Sequence, residues 1–271
     1  MTLRSENDGA RRWRFAVGSA VGTSHITSGD PCQDSHACEV IEDEDGDEVL
    51  VAVASDGAGS AKLSHLGSAA ACRAVIERVR GHLAAGHRVG AISHEVAAEI
   101  ALDARDKIAA LAKEAGTVVR DFACTLVVAV VATDLAVFFQ VGDGALIVSP
   151  RNDAGAFSWV FWPERGEYAN TTVFLSDERM TEHLMHDIVP GAVDEVAVLT
   201  DGIQSLVLDY KARIAHTPFF QQMMGPLRLR DDDGRLADLS VALDRYLDSP
   251  RVNERTDDDK TLILASRRGG G

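Results

Sequence analysis

The chain has little of what marks secreted, membrane-spanning or zinc-binding proteins. It contains four cysteines, none in a CxxC pair, so zinc and disulfide frameworks are poor interpretations and buried free thiols are expected. Its apolar runs stay below the roughly 18 residues of a membrane helix. The polar N-terminus lacks an apolar signal segment. These absences predict a cytoplasmic protein without a membrane partner.

Positive charge is also scarce. Lys and Arg number 27 against 42 Asp and Glu, and the formal net charge is -15 at pH 7. A nucleic-acid or anionic-membrane partner needs a basic face, so this balance argues against both. The seven prolines are scattered and no Pro/Ser-rich linker separates two halves. We therefore expect flexible termini at residues 1–12 and 267–271 around one domain spanning residues 13–266.

A buried strand that ends in Asp-Gly is the feature around which the chain is organised. The run Val49–Ala54 predicts a strand buried on both faces, and it stops at Asp56-Gly57. A carboxylate fixed at a strand end suits cation binding, and Gly57 lets the backbone approach and offer its carbonyl. A single Asp-Gly is more often a turn. Recurrence favours a site, because acidic residues also stand beside other predicted strands: Gln33-Asp34, Gly142-Asp143-Gly144, Thr200-Asp201-Gly202 and Asp257-Asp258-Asp259.

Blocks of strand and helix patterns predict an α+β domain. Strands are expected before residue 55, in a meander between residues 122 and 175, and at residues 183–189, 195–199 and 261–265, whereas residues 23–32 are expected to form a loop. Helices are predicted at Ser64–Ala85, Gly90–Ala115 and Leu236–Leu247. Two antiparallel sheets facing each other fit this order. The pattern predicts one helix layer and does not decide whether a second layer is present.

The ordered motifs resemble the metal-dependent Ser/Thr protein phosphatases of the PP2C type. Within that family, Gly22–His25 and Pro31–Asp34 are similar to the Gly-Thr-Ser-His and Pro-Cys-Gln-Asp motifs of a divergent bacterial branch, and Cys124-Thr125 falls in the expected order. The resemblance covers nearly the whole chain. It implies an αββα sandwich, which is two antiparallel sheets flanked by helix pairs, and hydrolysis of phosphoserine or phosphothreonine by a metal-activated water.

The resemblance also implies a metal site with two Mn²⁺ or Mg²⁺ ions and a weaker third. Asp56 would bridge the two ions, and the Gly57 carbonyl would join the second. Asp201 and Asp258 would hold the first ion. Asp34 would lie beside the second, directly or through a water.

Two further acidic positions belong to the same implied site. Asp143 would help to hold the third ion. Asp259 stands where the family usually has Asn, so it either positions Asp258 or adds charge to the site. The choice of Asp258 over Asp257 or Asp259 as ligand depends only on counting back from Thr261.

The chain departs from the family pattern in its substrate-binding residues. The family usually has an Arg shortly before Asp34, but no Arg lies between Arg14 and Asp34. His25 is the candidate replacement, as a phosphate contact or general acid, so His25 and Asp34 are the catalytic candidates. A loop histidine bonded to its neighbours is the alternative. The segment 162–170 lies at the position of the family's flap and is either a phosphopeptide contact or a plain loop.

Three functions remain open at this point. The first is a Ser/Thr phosphatase acting on phosphoprotein substrates, with a cognate Ser/Thr kinase system as a possible partner. The second is a weak or inactive PP2C-like regulatory protein, which the missing Arg suggests and the retained acidic set argues against. The third is a hydrolase of small phosphate esters. A cysteine phosphatase is excluded, because neither Cys32 nor Cys38 is followed by Arg at the required spacing.

Overall fold

A computed structural model of the chain describes residues 12–163 and 172–269. Its strands, in chain order, are β1 Arg14–Ala20, β2 Ser35–Glu42, β3 Glu48–Ser55, β4 Leu126–Val131, β5 Leu135–Val141, β6 Ala145–Pro150, β7 Ser158–Trp159, β8 Met185–Pro190, β9 Val193–Leu199, β10 Leu208–Asp209, β11 Ile214–Ala215, β12 Gly234–Arg235 and β13 Lys260–Ser266. Its α-helices are α1 Thr23–Ser28, α2 Ser64–Ala84, α3 His94–Glu114, α4 Gln204–Val207, α5 Thr217–Arg228, α6 Ala237–Leu247 and α7 Pro250–Asn253. Among the described residues, no helix is both long and apolar enough to cross a bilayer.

Two large sheets face each other. One has the order β2-β3-β4-β5-β8 and is antiparallel throughout. The other has the order β12-β1-β13-β9-β6-β7 and is antiparallel except for the short contact between β12 and β1. Helices α2 and α3 cover the outer face of the first sheet, and α5 and α6 cover that of the second. This confirms the predicted αββα sandwich and supplies its second helix layer.

The core has three apolar layers, and β4 shows why its strands form unbroken apolar runs in the sequence. The even-numbered residues of β4 pack against α2 and α3, whereas the odd-numbered ones pack between the two sheets. Successive side chains of a strand point to opposite faces. Because both faces of this sheet are covered, every residue of β4 is buried and apolar.

Helix α3 begins later than the predicted Gly90. A short 3₁₀ turn, Val89–Ala91, comes first. The Ser93 hydroxyl then accepts a hydrogen bond from the Val96 N–H at 3.4 Å and caps the helix. Such a cap satisfies one of the amides that have no partner inside the first turn, so the helix starts at His94.

Two other local predictions were wrong. The loop predicted at residues 23–32 contains α1, which ends at Gly29, a residue with φ 82°. The strand predicted at residues 171–175 is absent from residues 172–175, where the Phe174 N–H donates to Asp177 Oδ2 at 2.8 Å in a turn. Most of the predicted flap, from residue 164 onward, lies outside the described residues, as does the predicted N-terminal segment before Arg12.

The predicted flexible tail is packed at its first two residues. Arg267 is 3% exposed and donates to the Val193 carbonyl at 2.6 Å, and both Arg267 and Arg268 approach Asp194. Asp194 and the neighbouring Glu195 are fully buried. Buried carboxylates need charged partners, so the arginines are held at this end of β9. The domain limits at residues 13 and 266 remain a prediction.

Candidate metal centre

Carboxylates from three strand ends meet at one edge of the sandwich. Asp56 follows β3, Asp143 follows β5 and Asp201 follows β9, and each offers an oxygen that lies within 4.8 Å of the other two. The first two strands belong to one sheet and the third belongs to the other. The cluster therefore lies where the two sheets come together at their ends.

Hydrogen bonds across to Thr125 fix the position of Asp56. The Asp56 N–H donates to Thr125 Oγ1 at 2.9 Å, and the Asp56 carbonyl accepts from the Thr125 N–H at 2.8 Å. The neighbouring Ala58 N–H donates to the Ala123 carbonyl. Gly57 lies between these bonds, so its own carbonyl is not used by them. A Cβ on Gly57 would come within 2.7 Å of the Gln33 carbonyl oxygen, which explains the need for glycine.

Asp34 is buried, and the Thr200 hydroxyl holds one of its oxygens. Thr200 Oγ1 donates to Asp34 Oδ2 at 2.7 Å and accepts the Thr261 N–H at 3.0 Å. The other oxygen, Asp34 Oδ1, is buried without a hydrogen-bond donor among the described residues. A buried oxygen in this state is destabilising unless a cation or a proton satisfies it.

Two glutamines fix the turn that carries Asp143. Gln140 Nε2 donates to the carbonyls of Gly142 and Gly144, at 2.9 Å each. Gln204 Nε2 donates to the Asp143 carbonyl. The Asp143 carboxylate itself accepts from Thr172 Oγ1 at 2.8 Å. The backbone of this turn is therefore held from β5 and from α4, and its carboxylate is left partly exposed at the cluster.

The carboxylates raise one another's affinity for protons. Burial raises the pKa of Asp34 to about 7, although the hydroxyls of Thr200 and Thr261 lower it in part. Burial and then the charges of Asp34 and Asp201 raise the pKa of Asp56 well above its ordinary value. Burial and the charge of Asp143 raise the pKa of Asp201 to about 8. Without a positive charge between them, these groups cannot all ionise at neutral pH.

Asp258 and Asp259 face different surroundings. Asp258 is exposed, and its charge contributes to the raised pKa of both Asp56 and Asp201, so it stands near the cluster. Asp259 is buried, with Oδ1 accepting the Gly22 N–H at 2.6 Å and Oδ2 accepting the Gln33 N–H at 2.5 Å. Protein donors contact both oxygens of Asp259, which favours a positioning role, and its place among the metal ligands stays a prediction.

His25 is the third partner of Asp259. It lies on α1, and its Nδ1 is 2.9 Å from Asp259 Oδ2. The side chain is 15% exposed, and Nε2 has no hydrogen-bond partner among the described residues. The geometry thus combines both sequence-based alternatives, because one ring nitrogen is bonded locally and the other is available.

The cluster fits hard divalent cations. Its donors are carboxylate oxygens and one unused backbone carbonyl, which are the ligands that Mg²⁺ and Mn²⁺ prefer. The unpartnered Asp34 Oδ1 and the raised pKa values of Asp56 and Asp201 both indicate missing positive charge. The residues present therefore fit the metals that the sequence motifs imply.

The supporting residues were not predicted from the sequence. Thr125 and Thr200 stood inside the motifs, but nothing in the pattern assigned them to Asp56 and Asp34. Gln140 had a detectable signal, since it is the one polar residue in the apolar strand β5. Gln204 and Thr172 had no detectable sequence signal, because their partner Asp143 is distant in sequence.

Comparisons with known proteins agree with this architecture. A family model described as "Protein phosphatase 2C" matches residues 21–247. "Serine/threonine-protein phosphatase 3" of Escherichia coli (strain K12) is 35% identical over 254 residues, covering 93% of this chain and 98% of that protein.

Solved structures share the fold at low sequence identity. The phosphatase Stp1 from Staphylococcus aureus has a TM-score of 0.57 and 14% identity, covering 98% of this chain and 97% of that chain. The catalytic domain of the phosphatase PstP, in complex with two manganese ions, has a TM-score of 0.54 and 14% identity, covering 94% and 98%.

An αββα sandwich with carboxylates gathered at the strand ends defines the class of metal-dependent phosphatases. The chain belongs to the protein phosphatase 2C family, as the family model and the relative from Escherichia coli show. The sequence-based predictions of family, fold and enzyme class are confirmed.

Proposed function

We propose that the carboxylate cluster hydrolyses phosphoserine and phosphothreonine esters in phosphoprotein substrates. One observation carries this proposal: oxygens of Asp56, Asp143 and Asp201 converge within 4.8 Å. Such a cluster is stable at neutral pH when cations neutralise it. The similarity to a Ser/Thr protein phosphatase over nearly the whole chain supports the substrate class. A Ser/Thr kinase makes such substrates, so we propose that one opposes this enzyme.

We propose that this chain holds two Mn²⁺ or Mg²⁺ ions. Asp201 and Asp258 serve the first position, and Asp34 and the Gly57 carbonyl serve the second, with Asp56 shared. The unpartnered oxygen of Asp34 supports its assignment. When bound, the ions shield the phosphoryl oxygens and acidify a water for attack. The PstP domain with its two manganese ions supports the number two.

Asp143 has a separate part in the proposal. Its carboxylate accepts a hydrogen bond from Thr172, next to the segment 164–171 that lies outside the described residues. We assign it to a weaker third ion. Its fixed backbone supports this assignment, because Gln140 and Gln204 hold the turn before any ion binds.

His25 takes the place of the missing phosphate-binding Arg. The hydrogen bond between Nδ1 and Asp259 orients the ring, which leaves Nε2 for a phosphate oxygen or the leaving oxygen. Asp259 thus acts by positioning His25 and not by binding metal.

The test is hydrolysis of an aryl phosphate and of a phosphothreonine peptide with Mn²⁺, with Mg²⁺ and with EDTA. We expect turnover of both substrates with either ion, none with EDTA, and a loss of at least about 100-fold in the Asp201→Asn variant. An EDTA-resistant turnover would contradict the metal site. Metal binding without turnover of either substrate would instead support the regulatory alternative.

A further inference from the structure

The hairpin of β10 and β11 holds an arginine in a strained backbone conformation. Arg213 has φ 54° and is the only non-glycine residue with positive φ in the described parts of the chain. For an ordinary side chain this conformation is unfavourable, and such strain concentrates at functional sites. The Trp159 Nε1–H donates to the Arg213 carbonyl at 2.9 Å, which helps to hold the turn in place.

Aromatic rings beside this turn form a partly exposed surface. The rings of Trp159 and Trp162 lie 5.3 Å apart, and those of Trp162 and Tyr210 lie 5.5 Å apart, both edge to face. The guanidinium carbon of Arg213 lies 5.7 Å from the centroid of Trp162, within range of a cation–π contact. We call these four residues, Trp159, Trp162, Tyr210 and Arg213, the aromatic platform.

The aromatic platform is connected to the metal centre through one side chain. The Tyr210 hydroxyl donates to Gln204 Oε1 at 2.8 Å, and Gln204 Nε2 donates to the carbonyl of Asp143. An extended peptide advances about 3.3 Å per residue. A peptide whose phosphate lies at the cluster therefore has the platform beside it, one hydrogen-bonded side chain away from the Asp143 turn.

The hairpin that carries Arg213 is net cationic in a strongly anionic protein, because exposed Asp209 offsets only one of its two cations. Lys211 and Arg213 are both exposed on the hairpin, and neither forms an ion pair with another described residue. The chain has a formal net charge of -15, which repels acidic peptides from most of the surface. An acidic peptide complements the two cations of this hairpin.

We propose that the aromatic platform binds the substrate chain beside the phosphoresidue and favours segments with acidic side chains there. This inference rests on the proposed phosphatase function, and it adds a determinant of substrate choice outside the metal centre. The planar guanidinium of Arg213 contacts a flanking carboxylate, and the faces of Trp162 and Tyr210 pack against the peptide.

The decisive variant is Arg213→Asn, because asparagine tolerates positive φ and the turn keeps its shape without the guanidinium. Three substrates are compared: a phosphothreonine peptide flanked by Glu, the same peptide flanked by Gln, and an aryl phosphate. We expect the variant to lower kcat/KM about fivefold for the Glu peptide, through KM, and to leave the other two within about twofold. Arg245→Gln, which removes an exposed charge on α6, is the charge-matched control and should change none of the three.

Binding of the labelled Glu peptide in the presence of Mn²⁺, measured by fluorescence anisotropy, separates this inference from the phosphatase proposal. A weaker binding constant in Arg213→Asn supports the platform even if no substrate is turned over. An unchanged constant overturns the platform, and so does an equal loss on the aryl phosphate, since the variant would then act on the metal centre itself.

Discussion

The Thr200 hydroxyl helps to orient Asp34. Thr200 Oγ1 donates to one carboxylate oxygen and receives the Thr261 N–H, so it ties the candidate ligand to β13. Groups that orient metal ligands typically change metal affinity or activity by about 10- to 100-fold when they are removed. The contribution of Thr200 is therefore comparable to that of a weak ligand.

The first prediction concerns this hydroxyl. Thr200→Val keeps the shape of the side chain and removes the hydrogen bond, so we expect Mn²⁺ affinity or kcat to fall about tenfold. Titration calorimetry and hydrolysis of an aryl phosphate measure the two quantities. Thr200→Ser retains the hydroxyl and should behave like the natural chain; equal losses in both variants would assign the effect to packing.

The second prediction separates Asp259 from the metal ligands. Asp259→Asn places an amide NH₂ opposite one of the backbone N–H donors of Gly22 and Gln33, so we expect unfolding to become easier by about 2 kcal/mol. Mn²⁺ affinity should stay within about threefold, whereas Asp201→Asn should lose it. A loss of Mn²⁺ as large as in Asp201→Asn would place Asp259 back among the ligands.

The sequence predicted which residues lie at the site more completely than it predicted the role of each one. The acidic motifs at the strand ends are local patterns, and they located Asp56, Asp143 and Asp201 before the fold was known. Asp258 and Asp259 are neighbours in one short acidic run, so the pattern did not separate an exposed carboxylate from a buried one. That difference is created by the backbone amides of Gly22 and Gln33, which come from the other end of the chain.

At the scale of elements, the turn after β9 is packed directly on the turn before β13. A Cβ on Gly202 would lie 1.9 Å from the Asp259 carbonyl oxygen, a distance that no side chain can occupy. Because Gly202 has no side chain, the two turns pack closely, and this brings Asp201 and Asp258 near each other. This contact explains why the sequence has glycine directly after Asp201.

The third prediction uses this contact. Gly202→Ala must push the two turns apart, so we expect Mn²⁺ affinity and turnover to fall at least about tenfold, together with thermal stability. Gly225→Ala, on α5 with open space around its Cβ position, is the matched control and should be neutral or stabilising. Normal Mn²⁺ affinity in Gly202→Ala would contradict this prediction, because it would show that metal binding does not need the close contact between the two turns.

Regular elements could be predicted well where periodicity is strong, as in α2 and β4. Predictions were wrong where single residues decide the local structure. Helix α1 is ended by Gly29, and α3 starts at the Ser93 cap, so both limits depend on backbone contacts that hydrophobic periodicity does not report. The second helix layer, α5 and α6, became certain only through its packing on the six-stranded sheet.

For the whole molecule, the metal centre links stability to pH. Without metal, the pKa of Asp34 is about 7 and that of Asp201 about 8, against an ordinary value of 3.8. Between about pH 4 and pH 8 the folded chain therefore holds more protons at these carboxyls than the unfolded chain does. Their contribution to stability is present below this window and is lost as pH rises through it.

The fourth prediction follows for the EDTA-treated protein. Its Tm should fall between pH 5 and pH 8.5, and Mn²⁺ should restore Tm most strongly at the upper end, as measured by scanning fluorimetry. The Asp34→Asn variant removes one of the titrating groups, so its metal-free Tm should change less with pH. A metal-free Tm that rises steadily across this range would contradict the raised pKa values.

Strand β13 lies between β1 and β9 in the middle of the six-stranded sheet, and the residues just before it approach the cluster. The first and last described strands are thus neighbours, and the sheet cannot close until β13 has left the ribosome. A nascent chain halted before Asp258 would carry Asp56, Asp143 and Asp201 but would lack the strand that pairs with both β1 and β9 in the sheet that carries Asp201. The sheet that carries Asp201 is therefore complete only once β13 has paired with both β1 and β9.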